Sequence, residues 1–364
     1  MKWQWKLARI AGIDVYMHAT FLFLIGWVAI TSWTEQGSLG AVLSGIFFIL
    51  LLFAFVVMHE YGHALTARRF GIKTRDITLY PIGGVARLER MPEKPIEELW
   101  VALAGPAVNV VIAIVLFGYL IITRTFEPIT SLAISSGPLV ERLMVVNLWL
   151  VGFNLIPAFP MDGGRVLRAL LGLRLEYVRA TQIAAYVGQG FAFLFGILGF
   201  FSNPFLVLIA IFVWMGAGQE ANMVRIKHSI NGIPVTRAMQ TDFMMLTPYD
   251  TLSHVVGLIL AGSQHDDFPV VQNGYIVGIL DRDTFMKALS ERGQNTTVAE
   301  VMRRDITEID SQEKIEAALT HLQENGSKTL PVTQNGQLVG LISSESIKKF
   351  LMLHSALRTA GGMA

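Results

Sequence analysis

Residues 59–63 read His59-Glu60-Tyr61-Gly62-His63, two imidazoles four positions apart with a carboxylate beside the first. On a helix, residues four apart share a face, so both rings can reach one ion while Glu60 stands next to the water that ion holds. Neutral imidazole suits zinc, and zinc lowers the pKa of bound water to about 7. Glu60 is then the candidate general base, taking that proton and later passing it to a leaving amine. The chain contains no cysteine, so any metal must be held by His, Asp or Glu, and a disulfide framework is excluded. The plain alternative is chance spacing, or a helix end carrying interfacial polar groups. The surroundings argue against it, because the motif continues an uncharged apolar run and no basic residue follows until Arg68-Arg69. Glu60 lies eight residues before Arg68, about 12 Å along a helix axis, and an unpaired carboxylate there costs several kcal/mol. Gly62 costs up to about 1 kcal/mol relative to alanine inside a helix. It serves either close helix packing or room for a substrate backbone, and the sequence leaves both open.

Catalytic zinc usually takes three protein ligands and keeps one position open. The segment 153–165, FNLIPAFPMDGGR, supplies the third candidate, since Asp162 is the only acidic residue between Glu141 and Glu176. Pro157 and Pro160 break a helix before it, and Gly163-Gly164 let the backbone turn. Irregular backbone at membrane depth is tolerated only against protein or a water-filled cavity. The bland alternative is an ordinary loop whose Asp caps the next helix. Asn154, eight residues before Asp162, carries an amide that either holds a substrate carbonyl or oxyanion or bonds a neighbouring helix. In the run Gly105-Pro106-Ala107-Val108-Asn109, small residues and one amide point to helix packing. His18 reads as an interfacial histidine.

Those residues must be positioned by membrane helices. The chain has 364 residues, 52% hydrophobic and 16% charged, against about 25% charged in soluble domains. The net charge of +1 and the lack of a basic patch give no sign of nucleic acid. The first residues, MKWQWKLARIAGIDVYMH, lack a cleavable signal pattern and are expected to be retained. Uncharged runs at 16–33, 36–58, 99–123, 143–161 and 180–219 each approach or exceed the length that crosses a bilayer. The last is interrupted by Ser202-Asn203-Pro204, so it divides in two and the expected number of crossings is six. Lys and Arg number three in 1–15, none in 34–35, seven in 64–98, two in 124–142, four in 162–179 and none in 202–204. This alternation predicts cytoplasmic N- and C-termini. The second and fourth crossings then both run towards the cytoplasm, which brings His59, His63 and Asp162 to a similar depth.

Taken together, HEYGH, GPAVN and NLIPAFPMDGGR resemble the site-2 protease family of intramembrane zinc metalloproteases, over roughly residues 5–220. The resemblance implies zinc held by His59, His63 and Asp162, catalytic Glu60, and Asn154 as a substrate- or oxyanion-binding group. It also implies substrates that are single-pass membrane proteins, such as anti-sigma factors, already trimmed by another protease. Residues 77–90, ITLYPIGGVARLER, resemble the family's membrane-associated strand region, where an unwound substrate can add as a strand. No insertion is sized for the PDZ domain that other branches carry.

From about residue 232 the sequence repeats. Val235-Thr236-Arg237-Ala238-Met239 aligns with Val298-Ala299-Glu300-Val301-Met302, and residues 268–278, FPVVQNGYIVG, align with 330–340, LPVTQNGQLVG. Asn-Gly between β-type runs is a hairpin signal, and helical patterns at 251–262 and 312–323 precede each hairpin. The β-α-β-β-α unit, present twice over 232–354, is similar to a pair of CBS domains. Such pairs often bind adenine nucleotides through Gly-x-x-Thr/Ser-x-x-Asp. The first copy here runs from Gly278 to Asp281 and Thr284, the second from Gly340 to Ser343 and Ser346. Neither keeps the acidic residue, so an adenine nucleotide stands beside the plainer expectation of a homodimerisation or substrate-positioning module.

The expected architecture is a transmembrane zinc metalloprotease domain at 1–222, a linker at 223–231, CBS repeats at 232–294 and 295–354, and a tail at 355–364. Two rivals remain. A CBS-regulated transporter should show inverted repeats around a midplane site, and none is visible in 1–220. An inactive helix-binding scaffold should have lost its base, whereas Glu60 is present.

Overall fold

The computed structural model describes residues 3–123, 138–261, 267–325 and 328–361. It divides into two compact units, Met1–Val224 and Arg225–Ala364. The loop charges expected at 124–137 and the last residues of the tail lie outside the described residues.

The first unit opens with two strands, β1 (Gln4–Ile10) and β2 (Ile13–His18), joined by a turn in which Ala11 and Gly12 have φ of 49° and 83°. Helices α1 (Phe21–Gln36) and α2 (Leu39–Arg69) follow. Gly37 at φ 61° closes the first of these, and the Ser38 side chain caps the second by accepting from the Ala41 amide. Strands β3 (Thr74–Tyr80) and β4 (Gly83–Leu88) complete a four-stranded sheet in the order β1-β2-β3-β4. The central pair, β2 with β3, is parallel; the outer pairs are antiparallel. Helix α3 (Pro95–Ile122) starts with Pro95 at its first position and Glu97 and Glu98 in its first turn, which suits the helix's positive end. Helices α4 (Leu139–Asn154), α5 (Asp162–Gly172), α6 (Tyr177–Phe201) and α7 (Pro204–Ile230) complete the series.

The sheet is a departure from the sequence expectation. Residues 16–33 were expected to form one crossing, but Tyr16–His18 belong to β2, and the helix begins at Phe21. The strand partner lies some sixty residues on, with Tyr16 opposite Thr78, and a pairing so distant leaves no local pattern. The Tyr61 hydroxyl donates to the carbonyl of Ile10 at 3.0 Å, and Arg68 donates to that of Ala11 at 3.0 Å, so the strand turn is tied to α2.

Among the described residues, α2, α3, α6 and α7 are long and apolar enough to cross a membrane. The six crossings expected from hydropathy therefore stand at four by length and composition. Both α1 and α4 contain 16 residues, about 24 Å at the α-helical rise, short of a hydrocarbon core about 30 Å thick. The run 143–161 is helical only as far as Asn154, because Pro157 and Pro160 prevent continuation and residues 155–161 form a loop. Large apolar side chains stand exposed on the long helices, among them Leu43, Ile114, Phe193 and Leu208. A surface of that kind is suited to lipid.

The second unit comprises α8 (Leu252–Leu260), β5 (Asp267–Gln272), β6 (Tyr275–Asp281), α9 (Arg282–Arg292), α10 (Val298–Val301), β7 (Ile309–Asp310), α11 (Ile315–Asn325), β8 (Thr329–Gln334), β9 (Gln337–Ser343) and α12 (Ser344–Gly361). Both Asn-Gly pairs form the hairpin turns their composition predicts, with φ near 54° and 85° at Asn273-Gly274 and near 53° and 80° at Asn335-Gly336. The initial strand of the first copy is reduced to one parallel bridge, Leu246 with Val270. The two cores exchange their leading segments. Val235 and Ala238 pack with Ile309, Leu330 and Ile342, while Val298 packs with Phe268, Val270 and Leu280. The Thr297 hydroxyl donates to Glu300 at 2.7 Å and holds that carboxyl below the usual carboxylate range.

Candidate metal centre

Helix α2 places His59 and His63 on one buried face, and the loop before α5 delivers Asp162 to them. Nε2 of His59 and Nε2 of His63 are 3.1 Å apart; Oδ2 of Asp162 lies 3.2 Å from the first and 3.1 Å from the second. Ligands at roughly 2.0–2.1 Å from a tetrahedral zinc sit about 3.3 Å from one another, so the three atoms form nearly the triangle that zinc requires. The Nδ1–H of His63 donates to the Val101 carbonyl at 2.7 Å. That bond fixes the tautomer and leaves the Nε2 lone pair for a metal. The Arg165 guanidinium lies 3.6 Å from the other oxygen of Asp162.

Gly105 on α3 supplies the space in front of this triangle. A Cβ there would stand 2.6 Å from Nε2 of His59 and closer still to His63. Any larger residue would fill the cradle. A Cβ on Gly62 would meet the Ala104 carbonyl oxygen at 2.6 Å, so this glycine serves the close crossing of α2 and α3. In the first turn of α5, Gly163 and Gly164 are helical rather than turning the chain, contrary to expectation. They are needed because a Cβ on Gly164 would meet the Phe159 amide at 2.6 Å, and one on Gly163 would strike the Leu155 and Ile156 carbonyls. Asp162 is the first residue of α5, whose capping position belongs to Met161.

Glu60 is half-buried beside the triangle in sequence, and its Oε2 accepts from the Ala86 amide of β4 at 3.0 Å. Asn154 is the half-buried last residue of α4. Its neighbours Gly152, Phe153 and Ile156 line an apolar recess of about 420 Å³ with Val145, Leu148 and Trp149. Asn109 is buried on α3 one turn beyond Gly105, and both of its amide atoms lack a hydrogen-bond partner among the described residues. His18 is engaged elsewhere: its Nδ1 lies 2.8 Å from the Thr20 hydroxyl, and its ring lies 5.1 Å from that of Tyr80. Gly105 was missed as a site residue because a missing side chain leaves no chemical signature; its only signal was its place in the small-residue run of α3.

Similarity to known proteins identifies the family. Residues 47–136 and 120–195 match Peptidase family M50, and residues 235–291 and 298–353 match the CBS domain. Zinc metalloprotease MJ0392 of Methanocaldococcus jannaschii is 32% identical over 354 residues, covering 97% of each chain. A protein of a Synechocystis species is 28% identical over 371 residues, 96% of each. The solved structure of the Site-2 Protease from Methanocaldococcus jannaschii is 40% identical with a TM-score of 0.45, covering 60% of this chain and 95% of that one. The chain belongs to peptidase family M50, the site-2 protease family of zinc metalloproteases, and carries a pair of CBS domains. It is a membrane protein and an enzyme.

Proposed function

We propose that this protease cleaves peptide bonds in membrane-spanning protein substrates, with His59, His63 and Asp162 holding zinc and Glu60 acting as the base. The observation that carries the reading is the buried triangle of Nε2, Nε2 and Oδ2, with edges of 3.1–3.2 Å. Zinc held by these three residues would supply Lewis-acid activation of water and of the scissile carbonyl. Glu60 takes the proton of the attacking water and returns it to the leaving nitrogen. Asn154, at the end of α4, is the proposed donor to the substrate carbonyl. Because a helical peptide bond is shielded by its own hydrogen bonds, the substrate must unwind, and β4 offers an outer strand to which it can add.

The shorter α1 and α4 are proposed to complete six crossings. In support, Phe23 and Trp27 on α1 and Leu148 and Trp149 on α4 are exposed and apolar. Both termini are then cytoplasmic, as the Lys/Arg alternation favours. The CBS pair is proposed as a regulatory or homodimerising module. In the first copy, Asp281 caps α9 by accepting from the Thr284 amide at 2.8 Å; in the second, Ser343 and Ser346 bond each other. These side chains cap their own helices at the positions of the nucleotide signature, which supports a role without an adenine nucleotide.

The test is Glu60→Gln in the full-length protein. Loss of cleavage with zinc retained supports the assignment; undiminished cleavage contradicts it. The same variant, expressed in native membranes, should retain uncut partners for identification.

A further inference from the structure

Asp162 begins a helix poorly equipped to hold it. The buried residues of α5 are Asp162, Gly163, Gly164, Arg168 and Ala169. Arg168 is the only long side chain among them, helped by the partly buried Leu167. Eleven residues with a glycine pair make a marginal helix on their own, so the position of its first residue must come from tertiary contacts.

Arg168 makes those contacts with four other segments: α3, α7, the loop before α5, and α6. Its Nε donates to Oε1 of Glu98, in the first turn of α3, at 2.7 Å. Its Nη1 donates to Oε1 of Glu220, on α7, at 2.6 Å. Its guanidinium carbon lies 5.0 Å from the ring of Phe159, which stands three residues before Asp162, and 4.9 Å from the ring of Tyr177. The Arg168 side chain is 0% exposed and that of Glu98 1%, whereas Glu220 at 29% reaches the surface. A planar fork with five donors is the group able to join two carboxylates while stacking on aromatic faces. The loop on one side of Asp162 and the helix on the other are thus fastened to a single side chain.

We propose that Arg168, through Glu98, Glu220 and Phe159, is a positioning residue that holds Asp162 against His59 and His63. This rests on the zinc-ligand reading above. Arg168 touches neither metal donor; it fixes the helix and loop that present the carboxylate. Outer partners of metal ligands typically set affinity by about 10–100-fold.

The experiment is a cycle of zinc affinities on the purified full-length protein in detergent, by competition with a chromophoric chelator, together with the visible spectrum of the cobalt(II)-substituted form. Arg168→Lys keeps the charge and loses the fork. The double change Glu98→Gln with Arg168→Met removes the buried pair together and strands only the partly exposed Glu220. Glu220→Gln is the mildest probe. With Asp162 present, the first two should weaken zinc about tenfold or more and alter the cobalt spectrum, with parent-like circular dichroism. In an Asp162→Ala background they should weaken it no further, since the positioned group is gone. Equal weakening in both backgrounds, unchanged affinity in folded variants, or failure of all three variants to fold would overturn the proposal. If Asp162→Ala alone leaves zinc affinity intact, it is the ligand assignment that fails, and the two outcomes are distinct.

Discussion

Oε2 of Glu60 accepts a hydrogen bond from the Ala86 amide at 3.0 Å, tying the candidate base to the outer strand of the sheet. An extended peptide that adds to β4 needs outward-facing amides of this kind. On the proposed reading, the base and an added substrate strand would share this edge, and both would call on the Ala86 amide.

Gly84 keeps that edge close. A Cβ there would lie 2.8 Å from Cγ of Glu60 and 3.0 Å from a methyl of Val56. Gly84→Val should push β4 or the Glu60 side chain aside and reduce cleavage by about 10²-fold, the cost typical of an ångström-scale misplacement. Zinc content should stay at the parent level. Full cleavage in the variant, read by the appearance of product fragments in membranes, would argue against the strand's role.

Gly105 bears on the metal itself. Gly105→Ala places a methyl in front of both Nε2 atoms, so zinc affinity should fall by about tenfold or more while the far-ultraviolet circular dichroism stays unchanged. Chelator competition reads the first quantity, and an unaltered affinity would mean that the cradle is not where the metal sits.

Substrate unwinding gives a prediction on the other side of the reaction. Replacing helix-breaking residues near a cleaved bond by leucine or alanine should slow cleavage, because each restored helical turn shields the scissile carbonyl. Equal rates for both substrates, followed in a reconstituted bilayer, would remove the reason for assigning β4 a binding role.

In the C-terminal unit, Gly274 holds φ at 85° in the turn between β5 and β6. Gly274→Val forces a β-branched residue into the left-handed region at a cost of about 1–2 kcal/mol. The thermal transition of that unit should drop by a few degrees, with zinc content unchanged. A transition that does not move would mean that the turn relaxes.

What could be read in advance follows from how local each signal is. His59 and His63 sit four residues apart on one helix, and the Asn-Gly hairpins repeat at a fixed interval, so both were legible as patterns. Asp162 was legible because an isolated carboxylate in a proline-broken apolar segment demands a partner. The sheet was not, since β2 joins β1 to a partner strand at Thr74–Tyr80 that is distant in sequence and leaves no local pattern. Nor was the cluster of Glu98, Arg168 and Glu220, three charges that look like ordinary helix ends until the fold brings them together. Counting uncharged runs overstated the long helices, because it does not register where a strand or a proline-broken loop takes over.

The most direct measurement is the zinc content of the purified full-length protein beside that of a His59→Ala, Asp162→Ala double variant. The predicted result is about one zinc per chain in the parent and little or none in the variant, with both folded. A parent without metal after purification in zinc-containing buffer, or a folded variant that keeps its zinc, would contradict the convergence of two imidazoles and one carboxylate on a single ion.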